Sequence, residues 1–459
     1  MPIAPRAQRD VSQFSWFSAK KLPLMVRHSY VHELRTATTY PLAAAVAEGA
    51  FTSVVAAKYF HAPPILIAVI TAAPMFGNIA ALYWADAAER RPKVRFVNQL
   101  QVGLVSCVAL VAATWFLPIP IGAWVFAGLI IAARLVAAGI ITVRSAIWRM
   151  NYPRHVRGQI VGRISAVATV ALVVTTILGA HWLDVTHGLA YVALYPLASA
   201  LGLIGIWQFS RIRVRHEWRT RPAVPVHLVR PENLAQTGEA NVLGYHPPRG
   251  TIAFWSKARA LLHKDHRFRE YMRWQFLNGL GHMMMSAPLL VMVTRSMTNP
   301  RSDYVLATLV VQIIPMVLSI LFTPVWAPYF DRVSILKFRS VQGLISVGAM
   351  TILFAGALSD QLWVVALAQL FIGITNAAGN LAWNLGHNDF ATAEEAPTYM
   401  AVNVMLTGTR GAFGPFLGIW LYQGFAGRYV FGICALLCAV AAYGFFRMLR
   451  LGDVIPAKT

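Results

Sequence analysis

The sequence predicts an all-α membrane protein, with twelve transmembrane helices in two pseudo-symmetric six-helix bundles. Three observations predict it. First, the chain is 57% hydrophobic and only 13% charged, with a mean hydropathy of +0.55. A soluble domain carries about 25% charged residues. The 40 Lys+Arg and 18 Asp+Glu are too few to clothe the two or three cores that a soluble chain of 459 residues would form. A soluble enzyme is excluded. Second, the apolar residues gather into twelve stretches, each near the roughly 20 residues that a bilayer crossing requires. Third, a polar stretch divides the twelve into six and six, and features of the first six recur in the second at an offset near 240.

The first bundle, 39–209, is expected to hold spans at 39–60, 64–84, 97–117, 121–147, 163–183 and 189–209. Residues 1–38 precede it as a cytoplasmic segment, in which Phe14–Arg35 reads as a helix lying on the membrane surface. The stretch 210–265 is rich in Arg, Pro and His and reads as a cytoplasmic linker, with one basic amphipathic helix near Ile252–Leu262. The second bundle with its short cytoplasmic tail, 266–459, holds spans at 268–293, 304–328, 340–358, 361–384, 401–422 and 428–447. The first 38 residues hold no apolar core before a small-residue cleavage site, so no signal peptide is expected. Cys107, Cys434 and Cys438 all fall inside apolar stretches, without disulfide or zinc spacing.

A net charge of +22 ordinarily points to nucleic acid. Here the charges sit in short clusters between spans. With the N-terminus in the cytoplasm, 33 Lys and Arg fall on inside segments and four (Lys58, Arg295, Arg301, Arg428) on outside ends. Three more, Arg134, Arg144 and Arg410, lie within spans. The positive-inside rule accounts for this bias. The expectation is a multi-pass plasma (inner) membrane protein with both termini cytoplasmic, a monomer among lipids, with no nucleic-acid partner. One inside loop, 385–400, breaks the pattern, with Asp389, Glu394 and Glu395 and no Lys or Arg.

The internal repeat rests on several matches. Span 4 carries Ala137-Ala138-Gly139 and span 10 carries Ala377-Ala378-Gly379, an offset of 240. The loop after span 2 has Asp86, then Arg90, Arg91, Lys93, Arg95 and Phe96; the loop after span 8 has Asp331, Arg332, Lys337 and Phe338. A carboxylate beside guanidinium groups at a helix end makes charge-assisted hydrogen bonds, or sits at a neighbouring helix N-terminus. Such groups either gate two packings of the halves or anchor the loops among headgroups. Asp86, Arg90, Arg91, Arg157, Asp331 and Arg332 form the candidate cytoplasmic gate.

These loops resemble the signature loop of the major facilitator superfamily, found after helix 2 and again after helix 8. Asp331-Arg332 is close to that pattern, whereas Asp86 lacks the following Arg and the leading Gly. Pro153-Arg154-His155-Val156-Arg157-Gly158-Gln159, then Gly162, matches the loop after helix 4. Gly411, Gly414-Pro415 and Gly418 in span 11 resemble the Gly-Pro motif usually found on helix 5. The resemblance covers nearly the whole chain. It implies a secondary transporter whose helices 1, 4, 7 and 10 line a central cavity.

Ionisable groups inside a bilayer cost about 2.5–3.5 kcal/mol or more unless paired, and so mark sites. Glu48 in span 1 and Arg134 in span 4 come out near one depth. They can form a proton-carrying pair, or a fixed pair that holds two helices in register. Asn376, Asn380 and Asn384 fall at i, i+4 and i+8 of span 10, with Trp383 and His387 beside them. Such an amide stripe faces either a polar cavity or a neighbouring helix. Gln275, Asn278 and His282 share one face of span 7, and His282 is a proton-relay candidate. Met283-Met284-Met285 beside it reads as apolar filler rather than a copper site. Arg410 lies at mid-depth in span 11 without a local acid, and Arg144 is near enough to a span end to snorkel. Three Arg against one Glu lean toward an anionic substrate.

No nucleotide-cradling loop, catalytic constellation or metal-ligand cluster is visible, so neither an enzyme nor a resident cofactor or metal is expected. The leading expectation is a secondary active transporter of a small polar solute, working by alternating access and coupled to protons through Glu48, Arg134 or His282. The alternatives are a sensor or assembly factor that keeps the fold without transporting, or a lipid flippase.

Overall fold

A computed structural model of the chain describes residues 22–89, 91–214, 259–300, 302–391, 396–424 and 426–451. The side chains of Asp86 and Arg157, though not their backbones, lie outside this set, as does Arg90. So does most of the expected linker and most of the helix near Ile252–Leu262; its end, 259–264, is helical.

All twelve expected spans are helical rods. The first is α1 (Leu24–Val46) followed by α2 (Gly49–Lys58), and the second is α3 (Pro64–Glu89). Then come α4 (Lys93–Leu110, extended by a 3-10 turn to Phe116), α5 (Ile119–Asn151), α6 (Arg154–Val185) and α7 (Tyr191–Ser210). The second half holds α8 (His266–Met292), then α9 (Tyr304–Thr308) joined by a π-turn to α10 (Ile314–Arg332). It closes with α11 (Ile335–Ser359), α12 (Leu362–Leu385), α13 (Ala396–Gln423) and α14 (Val430–Arg450). Ten described stretches are long and apolar enough to cross a membrane. Prolines set several helix starts, since Pro23, Pro92, Pro118 and Pro153 stand at N-caps where no backbone donor is needed. Asp265 and Ser334 cap α8 and α11 with side-chain oxygens.

Within the first half, α1 packs on α6 and α7, and α5 lies between α3 and α4. Within the second, α8 packs on α13 and α14, and α12 lies between α10 and α11. The halves meet where α3 packs on α13 and where α9 packs on α6. The repeat reappears in a contact the sequence reading did not find. Trp84 Nε1 donates to the Leu135 carbonyl at 2.9 Å, and Trp326 Nε1 donates to the Ile374 carbonyl at 3.1 Å. In each half an indole thus ties the second span to the fourth.

The first rod differs from expectation in two ways. The first rod begins at Leu24, so the residues from Leu24 to Arg35 are part of it and not a surface helix. Its buried polar groups bond within the bundle, Glu33 to Arg144, Trp148 and Tyr152 and Ser29 to the Arg213 carbonyl, while His28 and Arg35 are exposed. The first rod is also broken: Glu48 is extended (φ −123°, ψ 152°) and Gly49 has φ +68°. A left-handed residue at that point favours glycine.

Candidate functional site

The break in the first rod lies beside a cavity of about 260 Å³ between the two halves. Its polar lining comes from Thr52 of α2, Thr71 of α3, Arg134 of α5, Ser286 of α8, and Gln369 and Asn376 of α12. Broken backbone inside a membrane is viable only where protein or water satisfies it. Here Gln312, on the π-turn of the eighth rod, accepts from Phe51 N at 2.6 Å, and Thr52 Oγ1 donates to the Val46 carbonyl at 3.1 Å. A Cβ on Gly49 would meet the Gln312 amide at 2.8 Å, so the joint is also tightly filled.

Glu48 and Arg134 meet as a two-point pair, Nη1–Oε2 and Nη2–Oε1, both at 3.3 Å. The Arg134 side chain is 14% exposed and that of Glu48 41%. Arg134 lines the cavity, and the partial exposure of Glu48 leaves the pair more screened than a sealed pair would be.

A second pair lies further along the same two rods, toward the start of α1 and the end of α5. Glu33, fully buried, accepts from Arg144 Nη2 at 3.0 Å, Trp148 Nε1 at 2.7 Å and the Tyr152 hydroxyl at 3.2 Å. Arg144 is thus held inside and does not snorkel. The sequence reading assigned Glu33 to the N-terminal segment and so missed it. With Glu33 inside, the charge balance that leaned toward an anionic substrate no longer holds.

In the second half the span 7 residues bond across the bundle. Gln275 Nε2 donates to Asn403 Oδ1 at 2.7 Å, and its Oε1 accepts from Arg339 Nη2 at 2.8 Å. Its carbonyl accepts from Arg410 Nη1 at 2.5 Å. Arg410 is 6% exposed and lies over Gly279, where any larger residue would displace the guanidinium. Arg339, counted by sequence with the loop before it, is buried and also donates to Gln342 Oε1 at 2.8 Å. The hydrogen bonds of both buried arginines run to neutral oxygens. His282 joins Ser346 at 3.1 Å and Cys438 Sγ at 3.8 Å, and Asn278 receives the Cys438 thiol on its carbonyl. Neither lines the cavity.

Of the amide stripe, Asn376 lines the cavity, while Asn380 and Asn384 are exposed nearer the chain's terminal end. They stand apart from the apolar exposed stripe of Trp363, Leu367 and Leu370 on the same helix. Trp383 Nε1 donates to Thr407 Oγ1 at 3.0 Å. His387 is buried beyond the end of α12, and burial holds its imidazole below the ordinary value.

A set of hydrogen bonds seals the cavity at the end carrying residues 59–63. The Lys58 ammonium, 3% exposed, donates to Thr298 Oγ1 at 2.9 Å, the Asn299 carbonyl at 2.5 Å and the Ser302 carbonyl at 2.6 Å. Asp184 caps α9 by accepting from Tyr304 N and, at 2.9 Å, from Val305 N. Arg295 donates to the Ala62 carbonyl at 2.5 Å. Toward the other end, α5 and α12 flank the cavity without packing extensively on each other.

The candidate gate residues lie at that other end. Asp331 and Arg332 are exposed at the tip of α10 and form no ion pair among the described residues. Arg91 is exposed, 5.0 Å above the Phe96 ring. The carboxylate at the start of α11 is instead Asp389, which accepts from Ile335 N at 3.0 Å. Its cation-free loop was the odd one in the charge pattern; its partner was not legible.

Comparison with known proteins places this geometry. A family model described as Major Facilitator Superfamily matches residues 38–411. No curated protein sequence matches the chain. Among solved structures, a D-xylose-proton symporter is similar at 13% identity and TM-score 0.65, covering 95% of this chain and 99% of its own. A POT family transporter in complex with a thioalcohol-conjugated peptide is similar at 13% identity and TM-score 0.63, covering 92% and 96%. A bacterial homolog of the human lysosomal transporter Spinster, in an inward-facing and occupied conformation, gives 13%, 0.60, 93% and 98%. At these identities the likeness shows the fold.

Proposed function

From the premise that the chain belongs to the Major Facilitator Superfamily, we propose that it is a secondary active transporter of a small polar solute, working by alternating access. One observation carries the reading: the 260 Å³ cavity between the halves is sealed at one end and is lined by the guanidinium of a half-buried carboxylate–guanidinium pair. That volume lies just below the ordinary range of ligand pockets, about 300 Å³ upward, and suits a small solute. Arg134 is the cation among the lining residues, and it leaves room for an anionic or carboxylate-bearing solute. The amides of Asn376 and Gln369 and the hydroxyls of Ser286, Thr52 and Thr71 supply neutral donors and acceptors.

Glu48 is the coupling group in this reading. A solute group that bonds Arg134 competes with the carboxylate, and the freed Glu48 then takes a proton. The charge bias of the loops supports placing both termini in the cytoplasm of a cell with the protein in its plasma (inner) membrane. The sealed end is then the outer one, and the conformation is inward-facing. The protein works as a monomer among lipids. Asp331, Arg332 and the basic cluster after α3 serve as a gate that engages when the terminal end closes.

The test is uptake into proteoliposomes under an imposed pH gradient, across a solute panel chosen from growth profiling of a deletion strain. Wild-type protein accumulates its solute, and Glu48→Gln loses accumulation while solute exchange survives. Full pH-driven uptake by the double variant Glu48→Gln, Arg134→Gln overturns the coupling role. Folded protein that moves no solute in any condition overturns transport itself.

A further inference from the structure

A second hollow, of about 660 Å³, lies at the terminal end of the second bundle between α8, α13 and α14. Its deeper wall is apolar, from Met272, Phe276, Leu277 and Leu406. Trp274 lies against α14 at Gly444, where a Cβ would collide with the indole, and its buried Nε1 has no hydrogen-bond partner among the described residues. The rim is basic: Arg269 and Arg273 stand near the start of α8, and Arg447 stands in the last turn of α14. Glu270 pairs with Arg273 at 3.0 Å. Among the described residues no carboxylate forms a salt bridge with Arg269 or Arg447, and Arg269 Nε is buried without a partner.

We propose that this hollow seats an anionic phospholipid, its phosphate on Arg269 and Arg447 and an acyl chain along Phe276, Leu277 and Leu406. Two features together select a lipid. Guanidinium forks bind phosphate through charge-assisted hydrogen bonds. A free phosphate has no use for the apolar wall below them. The cations sit at the ends of transmembrane helices, at headgroup depth, and the wall runs inward from there along the same helices. Basic pockets between helix ends bind anionic headgroups on this principle. A zwitterionic headgroup would bring its own cation against the arginines and bind more weakly.

The test uses purified full-length protein in phosphatidylcholine nanodiscs with increasing phosphatidylglycerol, read by lipid retention in native mass spectrometry and by thermal stability. Wild-type protein retains phosphatidylglycerol over phosphatidylcholine. Arg269→Gln with Arg447→Gln lowers that retention roughly thirtyfold, at about fivefold for each cation near an anionic surface. Its stability in phosphatidylcholine alone stays at the wild-type value. Should the double variant fold poorly, Arg447→Gln alone, at an exposed side chain, gives a loss of about fivefold. Equal retention of the two lipids by wild-type protein overturns the proposal, as does undiminished retention by Arg447→Gln. Equal stabilisation by inorganic phosphate alone also overturns it, in favour of a free-anion site.

Discussion

Replacing Lys58 by methionine tests the seal directly. Methionine keeps the length and apolar volume of the side chain and deletes the ammonium. The three bonds lost run to Thr298, Asn299 and Ser302, at 2.9, 2.5 and 2.6 Å. A hydrogen bond to a charged group is worth about 1.5–3 kcal/mol net. The three share one ammonium and one desolvation cost, so they do not add; about 3 kcal/mol for the set is a reasonable figure. Lys58 sits on the first half and its acceptors on the second, so this stabilisation is present only while the seal is closed. Its loss lowers the sealed-to-open ratio roughly 150-fold. A protein sealed in about 99 of 100 molecules would then be sealed in roughly 40. Spin labels at Pro63 and Pro300, both exposed on opposite sides of the seal, report the distance by pulsed electron resonance. The half-buried Cys107 is first changed to serine. A long-distance population that grows in Lys58→Met supports the argument. An unchanged distribution in folded protein refutes it, and the seal then rests on Asp184 and apolar packing.

Other expectations follow from the same geometry. Glu33→Gln strands Arg144 inside the bundle and lowers stability by about 3–5 kcal/mol, read as earlier melting in detergent. Trp148 emission shifts with it, because the carboxylate beside its indole becomes a neutral amide; unchanged melting and emission would contradict the pairing. Gly49→Ala forces a side chain into a left-handed backbone against Gln312 and costs about 1–3 kcal/mol, measurable as a lower melting temperature. Asp331→Asn, at an exposed side chain, changes stability by no more than about 0.5 kcal/mol but slows turnover in proteoliposomes. Unaltered turnover would make that loop an anchor.

The rods were legible because long apolar runs have few other uses, and Glu48 with Arg134 because two opposite charges at one depth in such runs need each other. Glu33 was not legible by the same logic. Arg27, His28, His32 and Arg35 surround it and dilute the apolar signal, so the uninterrupted apolar run begins after them. What admits Glu33 itself is a three-donor pocket whose members, Arg144, Trp148 and Tyr152, come from a distant part of the chain. The break at Glu48–Gly49 left only a faint trace, a glycine after an acid, since its stabilising partner Gln312 is far along the chain. The indole ties were findable: Trp84 and Trp326 fall near the 240-residue offset, but a match needs its acceptor, and a backbone carbonyl leaves no mark in sequence.

The broken first rod changes how force passes through the molecule. A continuous helix transmits bending along its whole length. Two helices meeting at one extended residue and one glycine behave as a jointed lever. The lower arm, α1, is fixed to its own half by the Glu33 pocket. The tip of the upper arm, α2, is fixed to the opposite half through Lys58. Glu48 is the pivot, and its carboxylate holds Arg134, which lines the cavity. Strain applied at the seal therefore arrives as a rotation at the residue that holds Arg134 against the cavity wall, and a displacement of that pair is passed back to the seal through the same joint.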